Sequence, residues 1–378
     1  MPKKDDSMQD SEISVIAVGD VVVNRKDPAS LFAHVTSVIK SADVAFCHLE
    51  GLFSKKGNPQ VYVQEPSLPY SLRADPQNAV ALTHAGFDVV SAGSNHTLDW
   101  GFDGLLDTID TCERLGIKVI GAGRNIIEAR KPAILDESGT RVAFLAYCSV
   151  LPRGYEAGPN KIGAAPLRAS TSYEAVNWQA GVPPKVVTVA DKGDMDAMGH
   201  DIKAAKKHAD VVVISMHWGV HLIPSIIAMY QREAAHFAID QGADIIVGHH
   251  AHVLKGVEVY KGKAIFYSMG NFAVDCPRGV LPGSWKDYRW EIDPEYQTYN
   301  FPPEARKSMI VKFKISNKRI NRVGFLPIII NKSSQPEVAT GARAEEVLSY
   351  VKWLCKDQHL ETTFSKNGKE IVLDGIVG

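Results

Sequence analysis

The chain has 378 residues, 45% hydrophobic and 22% charged, with a formal net charge of −1. That balance excludes the basic excess of a nucleic-acid surface, and no unbroken run of about 18 apolar residues offers a membrane span. Five dispersed cysteines without a CxxC pair exclude a disulfide scaffold and suit a reducing compartment, so a cytoplasmic location is expected.

The polar, mixed-charge residues 1–12 are expected to form a disordered tail, with no apolar core of a signal peptide behind them. "ISVIAVGD" (13–20) predicts a buried strand ending in Gly19-Asp20, and residues 28–41 predict a helix. "ADVAFCHLE" (42–50) is a second strand, ending on Glu50. A helix over 75–86 stops at Gly86, and "FDVVSAGSNH" (87–96) is a third strand with a polar end. A helix over 99–115 stops at Gly116 and leads to a strand at 117–123. A hairpin spans 132–148 and turns at "ESG". Residues 149–195 read as irregular and rich in Gly and Pro. A helix (195–209), the strand "DVVVISMHWG" (210–219), a helix (225–241) and a strand (243–249) follow. A hairpin is expected over 256–272. Residues 275–306 form a loop dense in Trp, Tyr and Phe, expected to act as a lid or substrate wall. Strands at 308–316 and 320–330 and a helix at 343–356 complete the pattern. Alternating strands and helices without a linker predict one layered α/β domain over 13–378, with loop insertions at about 149–195 and 275–306.

Several strands end on metal-ligand types: Asp20, Glu50, Asn95-His96, His217, and the cluster His249, His250 and His252. Each alone is weak. A Gly-Asp pair is usually a turn, Asn-His usually a cap, and a strand-end histidine usually a hydrogen-bonded fixture. Their co-occurrence is harder to produce by turns and caps, because ligands in open α/β sheets bind at the carboxyl ends of strands. Carboxylate, amide oxygen and imidazole together suit divalent manganese, iron, zinc or cobalt. A His-x-His turn can aim two imidazoles at ions about 3.5–4 Å apart.

The motifs carry a resemblance. "GDVVVNR" (19–25), "HLEG" (48–51), "GSNHTLDWG" (93–101), "GAGRNIIEARKP" (121–132), "HWG" (217–219), "GHHAHVLK" (248–255) and "YSMGNF" (267–272) resemble, in order, the motifs of the CapA-type bacterial capsule-synthesis family associated with poly-γ-glutamate. That family is similar in fold to the calcineurin-like metallophosphoesterases. The resemblance implies a metallophosphatase-like fold, with central mixed β-sheets flanked by helices. It also implies one or two divalent ions (manganese, zinc or iron) and an anionic small-molecule or polymer substrate.

Carried over by position, Asp20 is shared between the ions or binds the first, and Glu50 takes the place of the bridging carboxylate. Asn95, His217 and His250 hold the second ion and His252 the first, while His96 is the catalytic acid. Asn271 either supports a ligand residue or contacts substrate, and Arg25, Trp218 and His249 are candidates for substrate contact. The chain departs from the pattern at Val22, where phosphoesterases of this fold have a ligating histidine, and at His48, Ser94, His221 and Lys255. These readings give a metal-dependent hydrolase, or alternatively a non-catalytic component that binds an anionic polymer. His48, two residues before Glu50, is the first suspect for the ligand that Val22 cannot supply.

Overall fold

A computed structural model describes residues 12–60, 72–178, 181–275 and 293–377. Most of the expected tail lies outside these residues; Glu12, at its end, pairs with Lys314.

Two mixed sheets carry the chain. In the larger, the strand Ile13–Val22 runs parallel to Val44–Leu49, which is followed outward by Val89–Ser91 and Lys118–Ile120, all parallel. On its other side Lys307–Ser316 and Arg319–Ile330 join as an antiparallel pair. The second sheet has parallel Thr140–Cys148, Val211–His217, Ile245–His249 and Lys263–Phe266 at its centre. Ala133–Glu137 and Val257–Tyr260 close its edges antiparallel. The parallel strands read as continuous apolar runs because both faces are covered: every residue of Val211–His217 is buried. Between the sheets the Phe46 and Phe144 rings stack 5.7 Å apart, and the largest apolar cluster draws on both. The helices Lys192–Lys206 and Met229–Asp240 pack against each other, the first lying on the second sheet. Mixed sheets flanked by helices are the architecture expected from the sequence.

Some local expectations change. The helix expected over 28–41 is two short pieces, Pro28–Phe32 and Thr36–Ile39. The one expected at 195 begins at Lys192, because the Asp191 side chain accepts the Asp194 N–H and caps it there. Gly86 and Gly116 do follow their helices with left-handed backbone, φ 102° and 82°. The stretch 149–195 is not wholly irregular: Ala169–Glu174 and Lys185–Ala190 form a hairpin. Its first strand, "ASTSYE", is exposed throughout and so carries no burial periodicity to read. The C-terminal hairpin Phe364–Asn367 with Glu370–Leu373 was also not expected.

The change that matters most for function is at 256–272. Val257–Tyr260 and Lys263–Phe266 form a hairpin in the second sheet, but Asn271–Val274 crosses to the larger sheet and lies parallel to Ile13–Val22. The crossing is tight. The Asp20 N–H donates to the Gly270 carbonyl at 3.1 Å, and a Cβ on Gly19 would sit 1.9 Å from that oxygen. Only glycine fits at 19, and the contact sets Asn271 beside Asp20.

Candidate metal centre

Register aligns the polar strand ends. In the larger sheet Asn271, Asp20, His48 and Ser91 sit side by side on neighbouring parallel strands. In the second sheet Cys148, His217 and His249 do the same. The carboxyl ends of both sheets therefore open on one rim, and the turn after His249 closes over it. Two residues of that turn, His250 and His252, hold left-handed backbone at φ 82° and 56°. Strained non-glycine backbone of this kind costs on the order of 1–3 kcal/mol per residue and clusters at functional sites. The His250 N–H donates to Asp20 Oδ2 at 3.3 Å and ties the turn down.

The side chains then converge. His252 Nδ1 lies 3.5 Å from Asp20 Oδ2, and its Nε2 lies 3.4 Å from Glu50 Oε1. His217 Nε2 lies 2.7 Å from Asn95 Oδ1. The His250 ring is 4.9 Å from that of His217. Donor atoms of Asp20, Glu50 and His252 lie within 4.8 Å of one another, as do those of Asp20, His48 and His217. Asp20, rather than Glu50, is the carboxylate common to both triads. His96 stands alongside, with Nδ1 2.7 Å from Asp99 Oδ2 and Nε2 4.0 Å from Glu50 Oε1.

The electrostatics are those of a cluster suited to a cation. Burial, then the charge of Glu50, raises the Asp20 carboxyl well above its usual range, and burial pushes Glu50 up to about 7. Burial, reinforced by neighbouring imidazoles, holds His48, His217 and His250 well below their ordinary value, so these rings are neutral and ligand-competent. His96 goes the other way. Burial opposes its charge, but Asp99, Glu50 and Asp20 outweigh that and raise it. Buried polar atoms normally find partners. Here Asp20 Oδ1, Glu50 Oε1, His217 Nδ1, His250 Nδ1 and both nitrogens of His48 and His249 make no hydrogen bond. Carboxylates that repel, neutral imidazoles and unpaired ligand atoms gathered in one cluster fit one or two divalent ions of the borderline class.

Three candidates for substrate contact are placed differently, while Asn271 stands behind a ligand residue. Trp218 is 1% exposed, and its indole N–H donates to the Tyr267 carbonyl at 2.9 Å, so it is core. His249 is fully buried, with its ring on His48. Arg25 is held by Asp275 at 2.8 Å and by the Ser333 carbonyl at 2.7 Å, a tie between loops rather than a clamp over the rim. Asn271 is buried and accepts from His252 Nδ1 at 2.7 Å, so it orients that ring. Val22 is buried in the larger sheet's core.

Three residues escaped a role in the sequence reading. Asp99 holds His96 and was visible only as the aspartate of "NHTLD". Tyr299 receives the Asn271 amide N–H at 2.9 Å and passes its own hydroxyl to the Ala305 carbonyl. His221, four residues after His217, brings its ring within 5.0 Å of His252. Of the aromatic loop 275–306, residues 276–292 lie outside the described residues. From the remainder, the Phe301 ring comes within 4.9 Å of His252.

Fold and site together define an α/β protein with a buried candidate metal centre at facing sheet rims. Residues 14–276 match the family described as "Bacterial capsule synthesis protein PGA_cap", and the chain belongs to that family. It is 29% identical over 275 residues to the PGA biosynthesis protein CapA of Bacillus subtilis, covering 70% of this chain and 64% of that one. It is 28% identical over 277 residues to the capsule biosynthesis protein CapA of Bacillus anthracis, covering 71% of this chain and 61% of that one. The chain thus spans less than two thirds of these curated relatives. Among solved structures, the calcineurin-like phosphoesterase YfkN of Bacillus subtilis aligns at 14% identity and a TM-score of 0.42, covering 92% of this chain and 98% of that one. Among the described residues no helix is long and apolar enough to cross a membrane.

Proposed function

We propose that this chain is a metal-dependent hydrolase acting on a phosphoester, or on an amide or ester next to an anionic group. The observation that carries the reading is a single cluster of two buried carboxylates, imidazoles with unpaired nitrogens, and beside them an imidazole already paired with its own carboxylate. Asp20, Glu50, Asn95, His217, His250 and His252 would hold one or two ions of manganese, zinc or iron. Such ions supply Lewis-acid polarisation of a substrate oxygen and raise the acidity of water near neutral pH.

The chain's own residues do the rest. Asp99 binds Nδ1 of His96, fixes the ring and favours its charged form, which leaves the Nε2 proton for a leaving group. Asn271 Oδ1 accepts a hydrogen bond from Nδ1–H of His252, so Nε2 presents its lone pair toward Glu50. Burial of Asp20, Glu50, His217 and His252 strengthens each electrostatic contact among them.

A second reading is favoured by the relatives. Besides the two CapA proteins, a matched Mycobacterium tuberculosis protein is named a probable polyglutamine synthesis accessory protein, at 28% identity over 264 residues. The same rim could bind an anionic polymer without turning it over. Metal content by mass spectrometry, followed by assay of generic phosphoesters and γ-glutamyl amides with added manganese, separates the two. Turnover that disappears in His96→Ala supports the hydrolase. No turnover at saturating metal, with metal-dependent retention of polyglutamate, supports the binding role.

A further inference from the structure

Among the described residues, His48 is a buried polar side chain that the ligand set above leaves without a role. It sits on an interior strand of the larger sheet, level with Asp20 on one neighbouring strand and Ser91 on the other. It is fully buried, and neither ring nitrogen has a hydrogen-bond partner. Its ring is clasped between two other imidazoles, His217 at 4.4 Å and His249 at 4.6 Å, both nearly parallel to it. Leaving a buried polar group unsatisfied costs about 1–3 kcal/mol, and an aromatic hydrocarbon would fill the same slot without that cost. Packing alone therefore gives no reason for histidine here.

Ligation does. One donor atom each from Asp20, His48 and His217 falls within a 4.8 Å span, close to what one ion with ligand bonds of about 2.0–2.2 Å draws together. The two oxygens of Asp20 face different ways. Oδ2 faces His252 and the His250 N–H, while Oδ1 is unpaired, 3.7 Å from His249 Nδ1.

We propose that His48 is a metal ligand, completing with Asp20 and His217 an imidazole-rich cation site distinct from the Asp20–Glu50–His252 triad and bridged to it by Asp20. The inference rests on the metal-centre reading above but not on hydrolysis. The donor sets differ in hardness. Two imidazoles and one carboxylate favour zinc, cobalt or ferrous iron, whereas two carboxylates and one imidazole suit manganese. The pair is therefore expected to be chemically unequal, with the His48 site the one that prefers the softer ion.

The test is metal binding by the full chain, stripped with chelator and titrated with zinc or cobalt, with stoichiometry by mass spectrometry and affinity by calorimetry. Native protein should bind two ions per chain. His48→Phe, which keeps the ring stack, and His48→Gln should each bind one, with the lost site weakened at least a hundredfold. Glu50→Gln should retain the zinc bound at the His48 site. X-ray absorption on protein loaded with one zinc equivalent should count fewer imidazoles at the ion in His48→Gln than in native protein. Two ions bound with native affinity in both His48 variants, or an imidazole count on the first zinc unchanged by His48→Gln, would overturn the proposal. None of these readouts uses turnover, so a protein that binds as described and hydrolyses nothing overturns only the hydrolase.

Discussion

Asn271 Oδ1 lies 2.7 Å from His252 Nδ1, and the two belong to segments 19 residues apart that meet only because the chain crosses between sheets. Asn271 donates in turn to Tyr299, and Tyr299 to the Ala305 carbonyl. This chain of hydrogen bonds fixes which nitrogen of His252 carries the proton. Asn271→Leu should therefore weaken metal binding about 10- to 100-fold, as loss of an orienting partner does elsewhere. Asn271→Asp, which keeps the acceptor, should lose far less. Tyr299→Phe should fall between them. Calorimetric titration of the stripped variants checks the order.

His96 and Asp99 should separate chemistry from binding. His96→Ala is expected to keep its metal and lose turnover by roughly 10²–10⁴-fold. Asp99→Asn leaves the ring in place but removes the charge that favours its protonated form, so its activity loss should grow toward higher pH. A pH–rate profile of the two variants beside native protein is the measurement; a metal-free His96→Ala would reassign the residue as a ligand.

Lys255 carries a pH dependence of stability. The side chain is 1% exposed, its amine donates to the Ile223 carbonyl, and burial pushes it down to about 7. In the unfolded chain the same amine titrates near 10.4. Folding between these values expels a proton, so the cost of burial is complete below pH 7 and fades as pH rises toward 10. Lys255→Met should thus stabilise the stripped protein by roughly 2–4 kcal/mol at pH 7, with the gain shrinking toward pH 10. Denaturant melts at pH 7, 8.5 and 10 read this directly.

Gly19→Ala should be among the most damaging single substitutions. Its Cβ would meet the Gly270 carbonyl oxygen at 1.9 Å, backbone against backbone, with no side chain to yield. A loss on the order of 3–5 kcal/mol is expected. Because the same contact aligns Asp20 with Asn271, metal affinity should fall with it. Melts with and without zinc would show a diminished metal-dependent stabilisation.

Val22 offers a contrast with what its position suggests. The side chain belongs to the buried core of the larger sheet, and its Cγ1 would lie 3.3 Å from a Cβ on Gly51. An imidazole there overpacks, so Val22→His should destabilise by about 1–3 kcal/mol rather than tighten a metal site. A lower melting point without a gain in affinity is the expected result.

By itself the sequence determined the buried strands of the two sheets and the chemistry at their ends, but not the exposed hairpins at 169–190 and 364–373. Apolar runs such as "VVVISMH" and "DIIVG" are strands because they are short, β-branched and bounded by polar stops. Their terminal residues, Asp20, Glu50, His217 and the 249–252 cluster, were legible for the same reason. Helix stops at Gly86 and Gly116 follow from local backbone chemistry. Only the tertiary structure decided which ends meet. Register put His48 level with Asp20, and the facing of two sheets stacked it on His217 and His249. The crossing at Gly270 delivered Asn271, and Tyr299 arrived from a loop with no periodicity at all. Arg25 went to Asp275, 250 residues away, instead of to the rim. Propensity and period are properties of a few neighbouring residues. Strand order, sheet facing and the pairing of buried charges depend on contacts between distant segments, and those contacts made a list of ligand-type residues into one site.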